Sequence, residues 1–198
     1  MLLLFMPRPK TFNREKVLES ATKVFWKQGY AGTSMKDLEL ATSLTPGSIY
    51  HEFESKQGLF EQSLQFYVDN VITWRVKHYL KEENSLQGVR EFLLTSVKNV
   101  PQEFYGQACL ATNSTIELGT GIPTVNTILA KSFRVIENGL HTQLLAAQNQ
   151  NDIRKDLNCK KAAHQLLLLM SGLMVASKAN TRLEKLEESI DFTLDCFT

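Results

Sequence analysis

Residues 34–53, SMKDLELATSLTPGSIYHEF, carry two short helix signals separated by only three residues. Thr33 or Ser34 is placed to cap the first, which contains Met35, Leu38 and Ala41. The turn is Thr42-Ser43-Leu44. Thr45 caps the second helix, and Pro46 takes its first position, where a missing N–H costs nothing. A short helix, a tight turn and a second short helix is helix–turn–helix spacing. Upstream, Asn13 is a plausible cap for a helix over about 14–28 that Gly29 ends. Val17, Ala21, Val24 and Phe25 recur on one face of it. Downstream, Ser55 caps a fourth helix of about 25 residues running to Leu80.

The rest of the chain reads the same way. No Val/Thr/Tyr-rich alternating segment is bracketed by turns as a strand would be. Helices are expected over 85–99, 101–118, 122–149, 158–179 and 182–197, with Pro101 and Pro123 as starts. The polar run 148–158 reads as a helix end and loop. The expectation is therefore an all-α chain of about nine helices. It divides into an N-terminal tail (1–6, disordered or extended), a three-helix helix–turn–helix domain (7–60, motif 34–53) and a larger helical domain (61–198).

Several function classes lose support from composition. Cys109, Cys159 and Cys196 are odd in number and far apart, which suits reduced thiols in a cytoplasm rather than a disulfide framework. The four histidines do not pair with them at metal-ligand intervals, so no metal or cofactor is expected. There is no nucleotide-binding glycine loop and no nucleophile elbow, so the chain does not read as an enzyme. Leu2–Phe5 are too few for the apolar core of a signal peptide. The apolar run 166–176 falls short of the roughly 20 residues that span a bilayer, so no membrane is expected as a partner. Net charge is only +1, so any case for nucleic acid has to rest on a local cluster.

That cluster lies in the motif. Small residues followed by aromatic, His and Lys donors, as in TPGSIYHEFESK, suit a short helix pressed against phosphates. The pattern T-S-M-K-D-L-x-x-A-T-x-L-T-P-G-S-I-Y-x-x-F-x-S-K-x-x-L-F resembles the DNA-binding domain of TetR-family transcriptional regulators. MPRPKTFNREKVLESATKVFWKQGY resembles that family's basic arm and first helix. One position departs: Ser43 stands where these regulators usually have Gly. The resemblance implies that Tyr50, His51 and Lys56 face the DNA backbone, and that Thr33 caps a helix N-terminus meeting a phosphate, with Lys36 nearby. Gly47 would let the backbone approach the groove floor, leaving Thr45, Pro46 and Ser48 to face base edges. Arg8, Lys10 and Arg14 would form an arm reaching a minor groove or the backbone. Ile49 and Phe53 are assigned to the core.

In the second half, Leu166 to Met170 point in every direction around a helix, which needs partners on all sides. With the last helix it resembles the family's dimerisation surface, so Leu166, Leu167, Met170, Leu173, Met174, Leu186 and Ile190 are expected at a homodimer interface. A family effector pocket would lie among the helices between 60 and 175. Trp74, Phe104, Tyr105, Cys109, Asn113, Phe133 and Met170 are its candidates, being aromatic or apolar with a few polar handles. Asn113 needs a partner if buried, and Glu117, one turn on, is the expected one. Gly106 is expected to interrupt a helix that restarts near Ala108, putting Cys109 in its first turn as a pocket wall or a reactive thiol. The reading implied is a cytoplasmic, homodimeric repressor of a palindromic double-stranded operator, released by an unidentified small-molecule effector. A nucleoid-associated or scaffold protein of the same fold without an effector is the alternative.

Overall fold

The computed structural model describes residues 12–81, 85–98 and 107–198. Each early helix starts where a side chain can cap it. The Asn13 carboxamide accepts the Lys16 amide at 3.2 Å and opens α1 (Arg14–Gly32). Gly29 leaves the helical path inside α1 (φ 74°, ψ 175°), so the glycine marks the break as expected but one further turn follows it.

Helix α2 (Met35–Thr42) opens on a reciprocal capping box between Ser34 and Asp37. The Ser34 hydroxyl accepts the Asp37 amide at 3.2 Å, and the Asp37 carboxylate accepts the Ser34 amide at 2.9 Å. The Ser34 hydroxyl also donates to the Asp37 carboxylate at 2.6 Å, and this bond, followed by the one from the Ser34 amide, holds the Asp37 carboxyl below its ordinary range. Helix α3 (Pro46–Phe53) is capped by Thr45, whose hydroxyl accepts the Ser48 amide at 3.2 Å.

Ser43, between α2 and α3, is left-handed (φ 57°, ψ 24°). A side chain there crowds its own backbone, and glycine does not. Ser43→Gly is expected to stabilise the chain by up to about 1 kcal/mol in urea unfolding. A loss of stability would mean that the turn does not demand this conformation.

Helix α4 (Lys56–Tyr67), capped by Ser55, passes through a π turn (Val68–Ile72) into α5 (Thr73–Tyr79). This rod matches the long fourth helix of the sequence reading, and it spans the expected domain boundary at 60/61 without a break. The π turn was not legible. There the Thr73 amide and hydroxyl both bond the Val68 carbonyl, five residues back. Val68 and Ile72 are both buried.

The later helices are α6 (Ser85–Leu94), α7 (Leu110–Leu118), α8 (Pro123–Asn149), α9 (Cys159–Lys178) and α10 (Leu183–Asp195). Counting the rod as one, the described residues form nine helices and no strand. The start expected at Pro101 and the break expected at Gly106 lie outside the described residues. Bidentate Arg90–Asp191 contacts at 2.6 and 3.0 Å tie α6 to α10. Among the described residues no helix is long and apolar enough to cross a membrane.

Helix α9 corrects one expectation. It packs on α8 and α10, and Leu166, Leu167, Met170, Leu173 and Met174 are buried within the chain itself, as are Leu186 and Ile190 of α10. None of these side chains is on the surface. The helix is not buried all round: Leu168 is 53% and Val175 47% exposed, and Phe192 on α10 is 74% exposed. A helix flanked by two neighbours needs more than the usual apolar stripe, so consecutive leucines fill core positions before any reaches a partner.

Candidate nucleic-acid interface

Helix α3 separates cleanly into two sides. Ile49 and Phe53 are buried, as assigned. Thr45, Pro46, Gly47, Tyr50 and His51 are exposed, with Tyr50 at 51%. Ser48 is half-buried, and its hydroxyl lies 3.0 Å from the Thr45 hydroxyl. The Thr45 hydroxyl that caps α3 is thus also one of its candidate base-reading groups. A Cβ added at Gly47 would meet nothing within 4 Å, so the chain's own packing does not require glycine there.

Gly58 is the opposite case. Its amide donates to the Ser55 hydroxyl at 3.0 Å, and a Cβ on it would lie 2.1 Å from the Phe53 carbonyl oxygen. The first turn of α4 is thus pressed directly on the end of α3. Lys56, at the start of α4, is half-buried, with its ammonium 4.7 Å over the Tyr30 ring. Lys36 is exposed on α2. Leu40, on the same helix, is 74% exposed and was missed from sequence. It lies off the stripe of Met35, Leu38 and Ala41, and that placement was the available signal.

Two expected contacts are displaced. Thr33 is buried, and its hydroxyl donates to the Gly29 carbonyl at 2.6 Å, so it closes α1 while Ser34 caps α2. Arg14 is not part of a free arm. Its Nε donates to Glu52 at 2.9 Å, it also bonds Gln62, and its guanidinium lies 5.4 Å from the Phe53 ring. It braces α1 against α3 and α4. Arg8 and Lys10 lie outside the described residues.

The effector candidates are not gathered into one pocket. Trp74 is exposed and stacks on His78 at 4.6 Å, while Met170 is buried in the core. Phe133 is half-buried in a shallow, open depression of about 510 Å³ shared with Ile116 and Val175. Phe104 and Tyr105 lie outside the described residues. Cys109 is the N-cap residue of α7, and its sulfur accepts the Tyr67 hydroxyl at 3.3 Å. Burial, and secondly the thiol, push the Tyr67 hydroxyl well above the ordinary tyrosine range.

Asn113 does not use Glu117. Its carboxamide donates to the Ala108 carbonyl at 3.1 Å and accepts from Lys178 at 3.4 Å. Glu117 points away, to α1, because α1 offers it two unbonded amides after Gly29. A cleft of about 410 Å³ opens between α1 and α7, lined by Trp26, Gly29, Asn113, Glu117 and Lys178 among others.

Comparison with known proteins places this arrangement. The profile of "Bacterial regulatory proteins, tetR family" matches residues 17–62, and that of "Tetracyclin repressor-like, C-terminal domain" matches 85–192. The chain is 27% identical over 188 residues to the HTH-type transcriptional repressor ComR of Escherichia coli (strain K12), covering 94% of this chain and 90% of ComR. It is 27% identical over 175 residues to the HTH-type transcriptional repressor DhaR of Mycobacterium sp. (strain GP1), covering 88% and 87%. Among solved structures it superimposes, with a TM-score of 0.80 and 26% identity, on a cysteine mutant of the regulator CifR complexed with 26-bp double-strand operator DNA, over 96% of this chain and 100% of that one. With both halves matched and the helix–turn–helix geometry present, the chain belongs to the tetR family of bacterial regulatory proteins, which are transcriptional regulators and not enzymes.

Proposed function

We propose that this chain is a cytoplasmic, ligand-responsive repressor that binds a palindromic operator as a homodimer. The division of α3 carries the reading. A short helix buries Ile49 and Phe53 and turns Thr45, Pro46, Gly47, Tyr50 and His51 outward, with a glycine that the chain's own packing does not need. Hydroxyls can bond several base edges and a Pro ring can touch a thymine methyl, so Thr45, Pro46 and Ser48 are assigned to the groove. Tyr50, His51, Lys56 and Lys36 are assigned to phosphates. The repressor names of ComR and DhaR, and CifR's operator complex, support the same direction. The helix–turn–helix helices are taken as the DNA-binding domain and the remainder as the effector and dimerisation domain.

For the dimer, the supporting surface is the outward side of α9 and α10, where Leu168, Val175 and Phe192 are exposed. Scattered single apolar residues need no explanation, but a set on two adjacent helices does. For the effector, the cleft between α1 and α7 is the candidate seat.

Selection of duplexes from a random pool tests the reading. The parent chain is expected to enrich a two-fold-symmetric site with half-sites about one helical turn or more apart. Lys56→Ala should then weaken every duplex about equally and reduce the salt slope by about 1. Ser48→Ala should instead change which site is preferred. Sequence-selective loss from Lys56→Ala with an unchanged slope would contradict the phosphate assignment.

A further inference from the structure

A break in a helix leaves the amides after it without the usual carbonyl one turn earlier. Gly29 makes such a break in α1. Glu117, in the last turn of α7, takes both amides that follow. Its carboxylate oxygens accept from the Tyr30 amide at 2.9 Å and the Ala31 amide at 2.7 Å, across 87 and 86 residues of chain. The approach is close enough that a Cβ on Gly29 would stand 2.8 Å from Glu117 Oε2. Two residues before α7 begins, the Ala108 carbonyl accepts from Trp26 Nε1 of α1 at 2.7 Å. The segment 108–118 is therefore tied to α1 both ahead of α7 and in its last turn.

Tyr30 carries the contact onward. Its ring centroid is 4.9 Å from that of Phe60, and the Lys56 ammonium sits over it at 4.7 Å. Lys56 and Phe60 both belong to α4, whose first turn abuts the end of α3. A short chain of packed groups thus runs from the Glu117 carboxylate, through Tyr30, to the residue assigned to a phosphate.

We infer that Glu117 is a positioning residue for DNA binding. It fixes the angle of the helix–turn–helix unit against the rest of the chain, and so the spacing of two such units in a dimer. The inference rests on the homodimeric DNA-binding reading above. Charge-assisted bonds from one carboxylate to two backbone amides are directional and roughly twice as strong as neutral ones, so they resist tilting. Spacing matters only when two half-sites are engaged together. The second contact is then intramolecular, and its effective concentration collapses if the geometry is wrong. A single half-site does not sense the angle.

The test uses the full chain, Glu117→Gln and the duplex enriched from a random pool, intact and cut to one half-site. Gln keeps the shape of Glu but loses the charge and one acceptor. Affinity for the intact duplex is expected to fall about tenfold, with half-site affinity equal to the parent's. Amide exchange without DNA is the second measurement: Tyr30 and Ala31 should lose protection in the variant. Equal affinity of parent and variant for the intact duplex overturns the inference while leaving the DNA reading standing. An equal loss on the half-site also overturns it, because that marks a general structural defect. Unchanged exchange at both amides shows that no clamp exists. A parent that enriches no duplex removes the DNA reading, and the coupling with it.

Discussion

Gly58→Ala is expected to destabilise the chain by about 1–3 kcal/mol and to lose binding to every duplex the parent retains. The added methyl would sit 2.1 Å from the Phe53 carbonyl oxygen, and the backbone at both positions has no spare room. Phe53 closes α3, and Gly58 lies in the first turn of α4. Relief therefore requires α3 to move away from α4, which uncovers Ile49 and Phe53 and swings Tyr50 and His51 away from Lys56. Gly47→Ala is the control from the same motif. Its Cβ meets open space, so stability should hold while duplex binding weakens. Thermal unfolding and duplex binding, measured on both variants, separate the two effects. A Gly58→Ala chain with parental stability would show that α3 and α4 are not in contact there.

Leu168→Glu and Phe192→Glu are each expected to convert dimers to monomers with little change in protomer stability. Both side chains project from the protomer, at 53% and 74% exposure, so a charge there stays hydrated in the monomer. In a dimer built on this surface it would be stripped of water without a partner, at a cost of several kcal/mol. Leu167→Glu, one residue earlier, should behave differently. Leu167 is buried in the protomer, so the charge should unfold the chain rather than split a dimer. Sedimentation at matched concentrations reads all three. If the two surface variants stay dimeric, the interface lies elsewhere.

Much of the N-terminal unit was legible in the chain itself. Ser34, Thr45 and Ser55 each cap the helix they precede, because a short hydroxyl reaches an unbonded amide three residues on whatever surrounds it. Pro46 and Pro123 start helices, and Gly29 breaks one, for equally local reasons. The inward side of α3 followed from the placement of Ile49 and Phe53.

What failed had non-local causes. Apolar identity marks Leu166, Leu167 and Leu168 alike, yet the first two face the core and the third faces outward. Only the positions of α8 and α10 decide which side of α9 is inside. Arg14 became a brace because Glu52 and Gln62 are brought to it by the packing of α1 on α3 and α4. Glu117 looked like a neighbour for Asn113 because one helical turn brings residues four apart together. In the folded chain it meets Tyr30 and Ala31 instead. The sequence by itself determined where the capped helices start and where Gly29 breaks α1, since caps and breaks act within one turn. The tertiary structure alone decided which exposed polar or charged group finds a distant partner, since that depends on which helices meet and at what angle.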